Sequence, residues 1–269
     1  MRTVTLRIAA CLVALLMAPL LGARAAHAGT GHVDGISDQS LPAWDGSFAG
    51  SPFAELFRSR WTGAGSGQIA FARYVVQWDA MAEPSSGPHA TGNYRERFEA
   101  WLEDVRSLRL TPVVALTSYD GVHPGSAGEY LARLEAILDR AAAMGYPLAY
   151  IEAWNEPNNQ GAQTATTAAE FANSANDLCQ ARRSCTVIAG DFEDRSDLAA
   201  YEHAYVQALT FAPRIWGVHP YVSVQSHRDT NLRRLVGGLP SGGGRQIWFT
   251  EIGALFCSRG EVRGEARQA

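Results

Sequence analysis

We expect an α/β fold of the TIM (β/α)8 type, truncated after its seventh strand. Apolar, β-rich runs alternate with amphipathic helical patterns about every 30–40 residues, which is typical of a parallel sheet covered by helices. The chain has 269 residues, and 241 of them remain after a predicted 28-residue leader. That length is close to the ~250 residues of a complete barrel domain.

Seven stretches have the length and composition of buried strands. They are His32–Ile36, Ile69–Val76, Pro112–Thr117, Leu148–Trp154, Thr186–Ala189, Ile215–His219 and Gln246–Thr250. Between them lie helical patterns such as YRERFEAWLEDVRSL (94–108) and GEYLARLEAILDRAAAMG (128–145). In the second, Leu131, Leu134 and Leu138 recur at helical spacing and Gly145 is a typical helix stop.

Residues 1–28 have the layout of a secretory signal peptide. Arg2 and Arg7 are followed by 16 residues without a charge, Ile8 to Ala23, and then by the small-residue motif Ala26-His27-Ala28. A membrane-spanning helix needs about 20 apolar residues, so this run is short for one. We therefore expect a secreted, extracellular protein that starts near Gly29.

The remaining chain is mildly acidic, with 20 Lys and Arg against 27 Asp and Glu. Nucleic acids and anionic membranes attract basic patches, so we expect neither as a partner. We expect a monomer.

Three cysteines follow the leader. Cys179 and Cys185, in LCQARRSC, are close enough for a local disulfide in an oxidising compartment. A zinc site is the alternative, but no further Cys or His follows at zinc-finger spacing. Cys257 is then left without a partner.

The C-terminal residues do not supply an eighth strand and its helices. The last 13 residues carry five charges and one aliphatic side chain, that of Val262. We therefore assign residues 29–257 to the barrel domain and 258–269 to a disordered or non-native tail. Such a barrel has a gap between its first and seventh strands, and exposed sheet edges favour aggregation.

Polar residues cluster where the predicted strands end, which is where α/β barrels place their chemistry. The candidates are Arg73, Trp78, Asn155, Glu156, His219, Tyr221 and Glu251. Glu156 precedes Pro157, which favours an extended backbone at the glutamate. Two carboxylates on the fourth and seventh strands suit glycosidic bond cleavage, which uses one acid and one nucleophile or base. We expect no metal and no cofactor.

Four of these stretches resemble those of clan A retaining glycoside hydrolases. IEAWNEPN (151–158) resembles their fourth-strand motif and IWFTEIGA (247–254) their seventh. RYVVQWDAMAEP (73–84) is similar to the second strand of family 39 and related family 5 members. WGVHPY (216–221) matches the sixth-strand His-x-Tyr. The resemblance covers most of residues 32–255. The family's eighth strand, which usually carries an aromatic platform for the sugar, has no counterpart in this sequence.

The resemblance implies a role for each candidate. Glu156 is the expected general acid/base and Glu251 the nucleophile. Arg73 and Tyr221 are expected to hold Glu251, and His219 to orient Glu156 or Tyr221. For the substrate, Asn155 is expected to bind the sugar 2-hydroxyl, while Trp78 and Trp154 are candidates for stacking on sugar rings.

Each candidate also has a purely structural interpretation. Glu152 is a rival acid, but four residues at ~3.3 Å put it about 13 Å deeper than Glu156, so we take it as a buried structural carboxylate. Arg73 could be an interior ion-pair partner, and His219 and Trp154 could belong to the core. His32 and Asp191 are weaker candidates for lining the site.

We therefore expect a secreted retaining glycoside hydrolase that cleaves the β-linked O-glycosidic bonds of a polysaccharide or oligosaccharide. The alternative is an inactive or truncated carbohydrate-binding remnant of such an enzyme. The sequence leaves open whether the substrate is a xyloside, glucan, mannan or exopolysaccharide, and whether cleavage is endo or exo.

Overall fold

The computed structural model describes residues 34–37, 69–82, 94–159, 163–242, 244–253, 257–258 and 261–262. The predicted leader and His32 lie outside the described residues. So does most of the predicted tail, of which residues 258 and 261–262 are described.

A single parallel sheet holds seven strands in the order in which they occur along the chain. Its strands are β1 (Asp34–Ser37), β2 (Ile69–Gln77), β3 (Thr111–Thr117), β4 (Tyr150–Glu152), β5 (Thr186–Glu193), β6 (Ile215–His219) and β7 (Gln246–Phe249). A separate antiparallel pair joins β8 (Cys257–Ser258) to β9 (Glu261–Val262). The predicted strands are all present, but β4 is shorter than expected and β5 is longer.

Helices connect the strands from β2 onward. They are α1 (Tyr94–Leu108), α2 (Ala127–Ala143), α3 (Ala165–Arg182), α4 (Leu198–Ala208), α5 (Tyr221–Ser226) and α6 (Thr230–Gly238). α2 begins where the Ser126 hydroxyl accepts the backbone N–H of Glu129, an N-cap bond. It ends just before Gly145, whose φ of 78° suits a residue without a side chain.

The outer face of the sheet and the helices enclose the main core. Val114, Leu116, Ile151 and Trp216 are buried there against the helices. α3 packs closely because its buried face is rich in alanine. Because both faces of the strands are covered, their sequences are continuous apolar runs such as that of β3.

The inner face of the sheet has its own apolar layer. Val113, Ile188 and Ile215 are buried in it. The rings of Phe71, Tyr150 and Trp248 pack against them. The Trp248 ring centroid lies 5.1 Å from that of Phe71 and 5.0 Å from that of Tyr150. A contact between β2 and β7 requires the sheet to curl.

The contacts of Arg73 on β2 show that the sheet curls far enough to bring the ends of β1 and β7 to the same side chain. Its Nη1 donates both to Ser37 Oγ at the end of β1 and to Glu251 beyond β7. Among the described residues, no ladder joins β7 to β1. Seven parallel strands with alternating helices therefore form a curled half-barrel, consistent with a truncated TIM-type barrel as predicted.

The predicted disulfide is present. Cys179 near the end of α3 is bonded to Cys185 just before β5. No helix in the described part of the chain combines the length and the apolar character needed to span a membrane.

Candidate active site

A layer of polar side chains, which we call the charged layer, follows the inner apolar layer toward the carboxyl ends of the strands. Arg73, Glu152 and Thr250 each lie two residues beyond an apolar-layer residue, and alternate residues of a strand share a face. Arg73 Nε donates to Glu152 Oε2 at 2.7 Å, and Nη2 donates to Asp191 Oδ2 at 2.9 Å. Burial opposes the charge of Arg73, but the carboxylates of Glu152, Asp191 and Glu251 raise its pKa well above the usual value. Arg73 is thus both an interior ion-pair partner and a contact of Glu251.

Asp191 reaches this layer through a β-bulge. The register between β5 and β6 shifts between Gly190 and Phe192, so Asp191 is the extra residue. Gly190 has a φ of 83°, in the left-handed region that a glycine commonly adopts at a β-bulge, and Asp191, with a φ of 58°, is left-handed as well. Opposite it, a Cβ on Gly217 would lie 2.8 Å from Asp191 Oδ1. The glycine therefore makes room for the carboxylate.

Glu156 lies four residues beyond β4, and its backbone corrects our prediction. The residue is not extended, since its φ is 45°. A left-handed residue before proline is strained, so its surroundings must hold this conformation. The Glu156 carboxylate is held by His219, whose Nδ1 lies 2.9 Å from Oε1, and by Asn159, whose Nδ2 donates to Oε2 at 3.2 Å.

Glu251 follows β7 by two residues and is held from two sides. Arg73 Nη1 donates to Oε1, and the Tyr221 hydroxyl donates to Oε2. Burial and the neighbouring Glu251 raise the pKa of Tyr221, so the phenol stays protonated as a donor. Both predicted partners of Glu251 are therefore in contact with it.

Asn155 lies beside Glu156 and is anchored by the same arginine. Its backbone N–H donates to Leu116 O at 2.8 Å, and its Oδ1 accepts from Arg73 Nη2 at 2.8 Å. With Oδ1 used in this way, the side-chain amide N–H groups are the part of Asn155 that can serve a substrate.

The two tryptophans that we considered for sugar stacking belong to the core. Trp78 is 3% exposed, and its indole N–H donates to Val122 O at 2.7 Å. Trp154 is also 3% exposed and packs against Phe171. Neither ring presents a free face to a sugar in this structure, so we do not include them in the proposed site.

Glu152 is fully buried, as predicted, and its Oε2 accepts from Arg73. Burial, together with the nearby Asp191 carboxylate, raises the pKa of Glu152 despite the charge of Arg73.

Glu156, His219 and Glu251 approach one another closely. One oxygen of each carboxylate and one ring nitrogen of His219 lie within 4.8 Å of one another. Such a group could bind a divalent cation only if the ring nitrogen were unprotonated. His219, however, lies between the carboxylates of Glu156 and Asp191, which favour its charged form.

Sequence reasoning missed two residues of this region and undervalued Asp191. Thr250 Oγ1 donates to Asp191 Oδ1 at 2.6 Å. Asp194 is fully buried and accepts the backbone N–H groups of Val222 and Ser223, which fixes the start of α5 beside Tyr221. An Asp that follows a strand-end Gly was the available signal for Asp191.

Comparison with known proteins gives limited similarity. No family model and no curated protein matches the sequence. The crystal structure of SrfJ from Salmonella typhimurium is similar over 69% of this chain and 49% of its own, with 13% identity and a TM-score of 0.46. A GH30 endoxylanase from Clostridium papyrosolvens C71 is similar over 67% of this chain and 49% of its own, with 14% identity and a TM-score of 0.43. This chain thus spans about half the length of each. Similarity at this level assigns neither an activity nor a substrate to this chain.

Proposed function

We propose that this protein hydrolyses O-glycosidic bonds of a polysaccharide or oligosaccharide, with Glu156 as acid/base and Glu251 as nucleophile. The proposal rests on one observation. The two carboxylates extend from the ends of β4 and β7, and an oxygen of each lies within 4.8 Å of the other. Paired carboxylates at this separation are what glycosidic cleavage uses.

The partners of each carboxylate favour one assignment over its reverse. Glu251 accepts hydrogen bonds from a guanidinium and a phenol, which hold its carboxylate in one orientation. Such a fixed group suits a nucleophile that must point at one carbon atom. Glu156 is held by a histidine and an amide, and 18% of its side chain is exposed, so it can exchange a proton with substrate and water.

The separation also favours retention of configuration. Retaining enzymes have carboxyl groups about 5–5.5 Å apart, whereas inverting enzymes need about 6.5–9.5 Å to fit a water molecule. The oxygens of Glu156 and Glu251 are closer than the inverting range. We therefore propose the double-displacement route.

In this route a Glu251 oxygen attacks the anomeric carbon while the bond to the leaving oxygen breaks. Glu156 donates its proton to that oxygen and becomes a carboxylate. It then takes a proton from water, whose oxygen attacks the same carbon and releases Glu251. Asn155 is positioned beside Glu156 to bind the sugar 2-hydroxyl. We further propose that the protein is exported from the cell, that it is selective for β-linkages and that it is a monomer.

The alternative, a carbohydrate-binding protein without turnover, is favoured by a different observation. The described strands form an open sheet, since no ladder joins β7 to β1. Binding of an oligosaccharide without turnover would support this alternative.

The test is turnover and covalent labelling of the full chain with aryl β-glycosides, polysaccharides and slow 2-fluoro glycosides. Glu251→Gln should lower turnover by about 10³-fold or more, a barrier increase of roughly 4 kcal/mol. A fluorinated glycoside should label Glu251, as identified by peptide mass spectrometry. Glu156→Ala should retain part of its activity on substrates with good leaving groups, and azide should restore the second step because it needs no general base.

Glu193→Gln is the matched control. Glu193 ends β5 on the same rim, its side chain is 20% exposed, and its carboxylate pairs with Arg195. Its charge acts on Glu156 and His219, but it is not one of the two proposed catalytic carboxylates. This variant should still be labelled at Glu251. Labelling of another residue, or an inverted product seen by NMR, would contradict the proposed mechanism.

A further inference from the structure

Asp191 is a buried carboxylate that the proposed reaction does not use directly. It is 1% exposed and lies in the charged layer below Glu156 and Glu251. Its Oδ2 accepts from Arg73, and its Oδ1 accepts from Thr250. The same Oδ1 lies 2.9 Å from His219 Nε2. The carboxylate is thus fixed in orientation, with one oxygen toward the imidazole.

His219 is enclosed between two carboxyl groups. Its Nδ1 lies 2.9 Å from Glu156 Oε1, and its Nε2 lies 2.9 Å from Asp191 Oδ1. A carboxylate oxygen only accepts, whereas a neutral imidazole has one donor nitrogen and one acceptor nitrogen. The Nδ1 contact is a hydrogen bond, whereas the Nε2 contact is a close ion-pair approach without hydrogen-bond geometry. Two ionised carboxyl groups at these distances favour an imidazole that is protonated on both nitrogens.

The other charges around His219 come from neighbouring elements. Arg73 on β2 disfavours a charged imidazole, whereas the carboxylate of Glu193 at the end of β5 favours it. A carboxylate oxygen of Glu251 beyond β7 lies within 4.8 Å of a His219 ring nitrogen. The Tyr221 ring lies at 5.6 Å from the imidazole, and its phenol is neutral. Burial also disfavours the charge, but Asp191 and Glu156 together raise the pKa of His219 to about 10.

Asp191 is better suited than Glu156 to hold this charge throughout a reaction. Burial opposes ionisation of Asp191, but His219 and Arg73 keep its pKa well below the usual value. Charges attract more strongly where water is excluded, and Asp191 is far less exposed than Glu156. Moreover, Glu156 gains and loses a proton in the proposed reaction, whereas Asp191 does not.

We propose that Asp191 is a positioning residue that holds His219 as an imidazolium against Glu156. The imidazolium Nδ1–H then stabilises the Glu156 carboxylate after its proton has moved to the leaving oxygen, until water supplies the next proton. This kinetic consequence rests on the proposed glycosidase function. The charge state of His219 does not, and it can be measured without a substrate.

The direct test is an NMR titration of the histidine ring nitrogens in the folded, full-length protein. The chain has seven histidines, so the His219 signal is assigned by its loss in His219→Gln. In the wild type, we expect His219 to remain doubly protonated at pH 8. In Asp191→Asn, the midpoint should fall by ~2 pH units or more, because a buried histidine without its anion loses its charge.

Asp194→Asn is the matched control, since it makes the same chemical change three residues away. Asp194 is equally buried, but its carboxylate binds backbone groups of α5 instead of the His219 ring. This variant should leave the His219 midpoint where it is in the wild type. An unchanged midpoint in Asp191→Asn would overturn the inference. If Asp191→Asn does not fold, the wild-type titration decides, because a His219 that is neutral at pH 7 contradicts the inference and a charged one supports it.

The kinetic test is the pH profile of kcat/KM. In Asp191→Asn, His219 should be neutral, so its positive charge no longer favours an ionised Glu156. The alkaline limb of the profile should therefore move to higher pH. A purely structural defect would lower kcat/KM at every pH and leave the limb in place, which would contradict the positioning role. If no glycoside is hydrolysed by the wild type, the proposed function fails while the NMR result on His219 still stands.

Discussion

The apolar and charged layers inside the half-barrel are built from the same strands and the same face. Phe71, Tyr150 and Trp248 pack together in the lower layer. Two residues further along each strand, Arg73, Glu152 and Thr250 form the upper layer. A shift of two residues along a strand thus leads from an apolar contact to a network of buried ion pairs.

The two layers contribute differently to stability and function. Burial of apolar area stabilises the fold by about 25 cal/mol per Å². Buried charges instead carry a desolvation penalty that their pairing must offset. The charged layer therefore holds the carboxylates of the candidate site in place, while the apolar layer below it stabilises the strands. Two substitutions test this division, and a third tests a buried carboxylate that lies outside both layers.

The largest effect is expected for Arg73→Gln. This change removes the cation shared by Glu152, Asp191 and Glu251, so it leaves buried carboxylates without their partner. The free energy of unfolding should fall by about 3–5 kcal/mol, as measured by urea denaturation. Arg182→Gln is the control, because Arg182 pairs with the exposed Glu135 and Asp139 on the surface and should cost under about 1 kcal/mol. Equal losses in the two variants would contradict the distinction.

A smaller loss is expected for Ile188→Ala in the apolar layer. Ile188 is 1% exposed and packs with Val113 and Ile215. Truncation leaves a cavity, which should cost about 2–4 kcal/mol in the same denaturation experiment. The pH profile of kcat/KM should keep its shape, because no charge changes. A shifted profile would show that the two layers are not separable.

The smallest effect is expected for Glu202→Gln, which tests a buried carboxylate that forms no ion pair among the residues that the structure describes. Glu202 is 3% exposed in α4 and packs against Gly238 at the end of α6. Burial raises the pKa of Glu202 to about 7. A raised carboxyl pKa contributes stability that is complete below the unfolded pKa of about 4.3 and is lost as the pH rises through the folded value.

Glu202→Gln should therefore be more stable than the wild type by about 1–3 kcal/mol at pH 8, and nearly equal to it at pH 4.5. Thermal or urea unfolding at the two pH values measures the difference. A variant that is less stable than the wild type at pH 8 would indicate that the ionised carboxylate has a favourable partner.

The sequence was sufficient to predict the strands, their parallel order and most of the residues at their ends. Apolar runs and helical periodicity are local, and in a parallel α/β fold the strand ends fall on one edge. For this reason Arg73, Asn155, Glu156, His219, Tyr221 and Glu251 could be collected before the structure, and the structure brings them together.

Only the tertiary structure decided how several of these side chains are used. Strict alternation from the inward-facing Ile188 predicts that Asp191 faces outward, but the bulge after Gly190 turns it into the charged layer. The Trp78 ring is buried, and its indole N–H donates to the backbone oxygen of Val122. The backbone of Glu156 is left-handed although Pro157 follows it. A strand's period fixes which residues share a face, whereas bulges, ring contacts and strained backbone depend on neighbours that are distant in sequence.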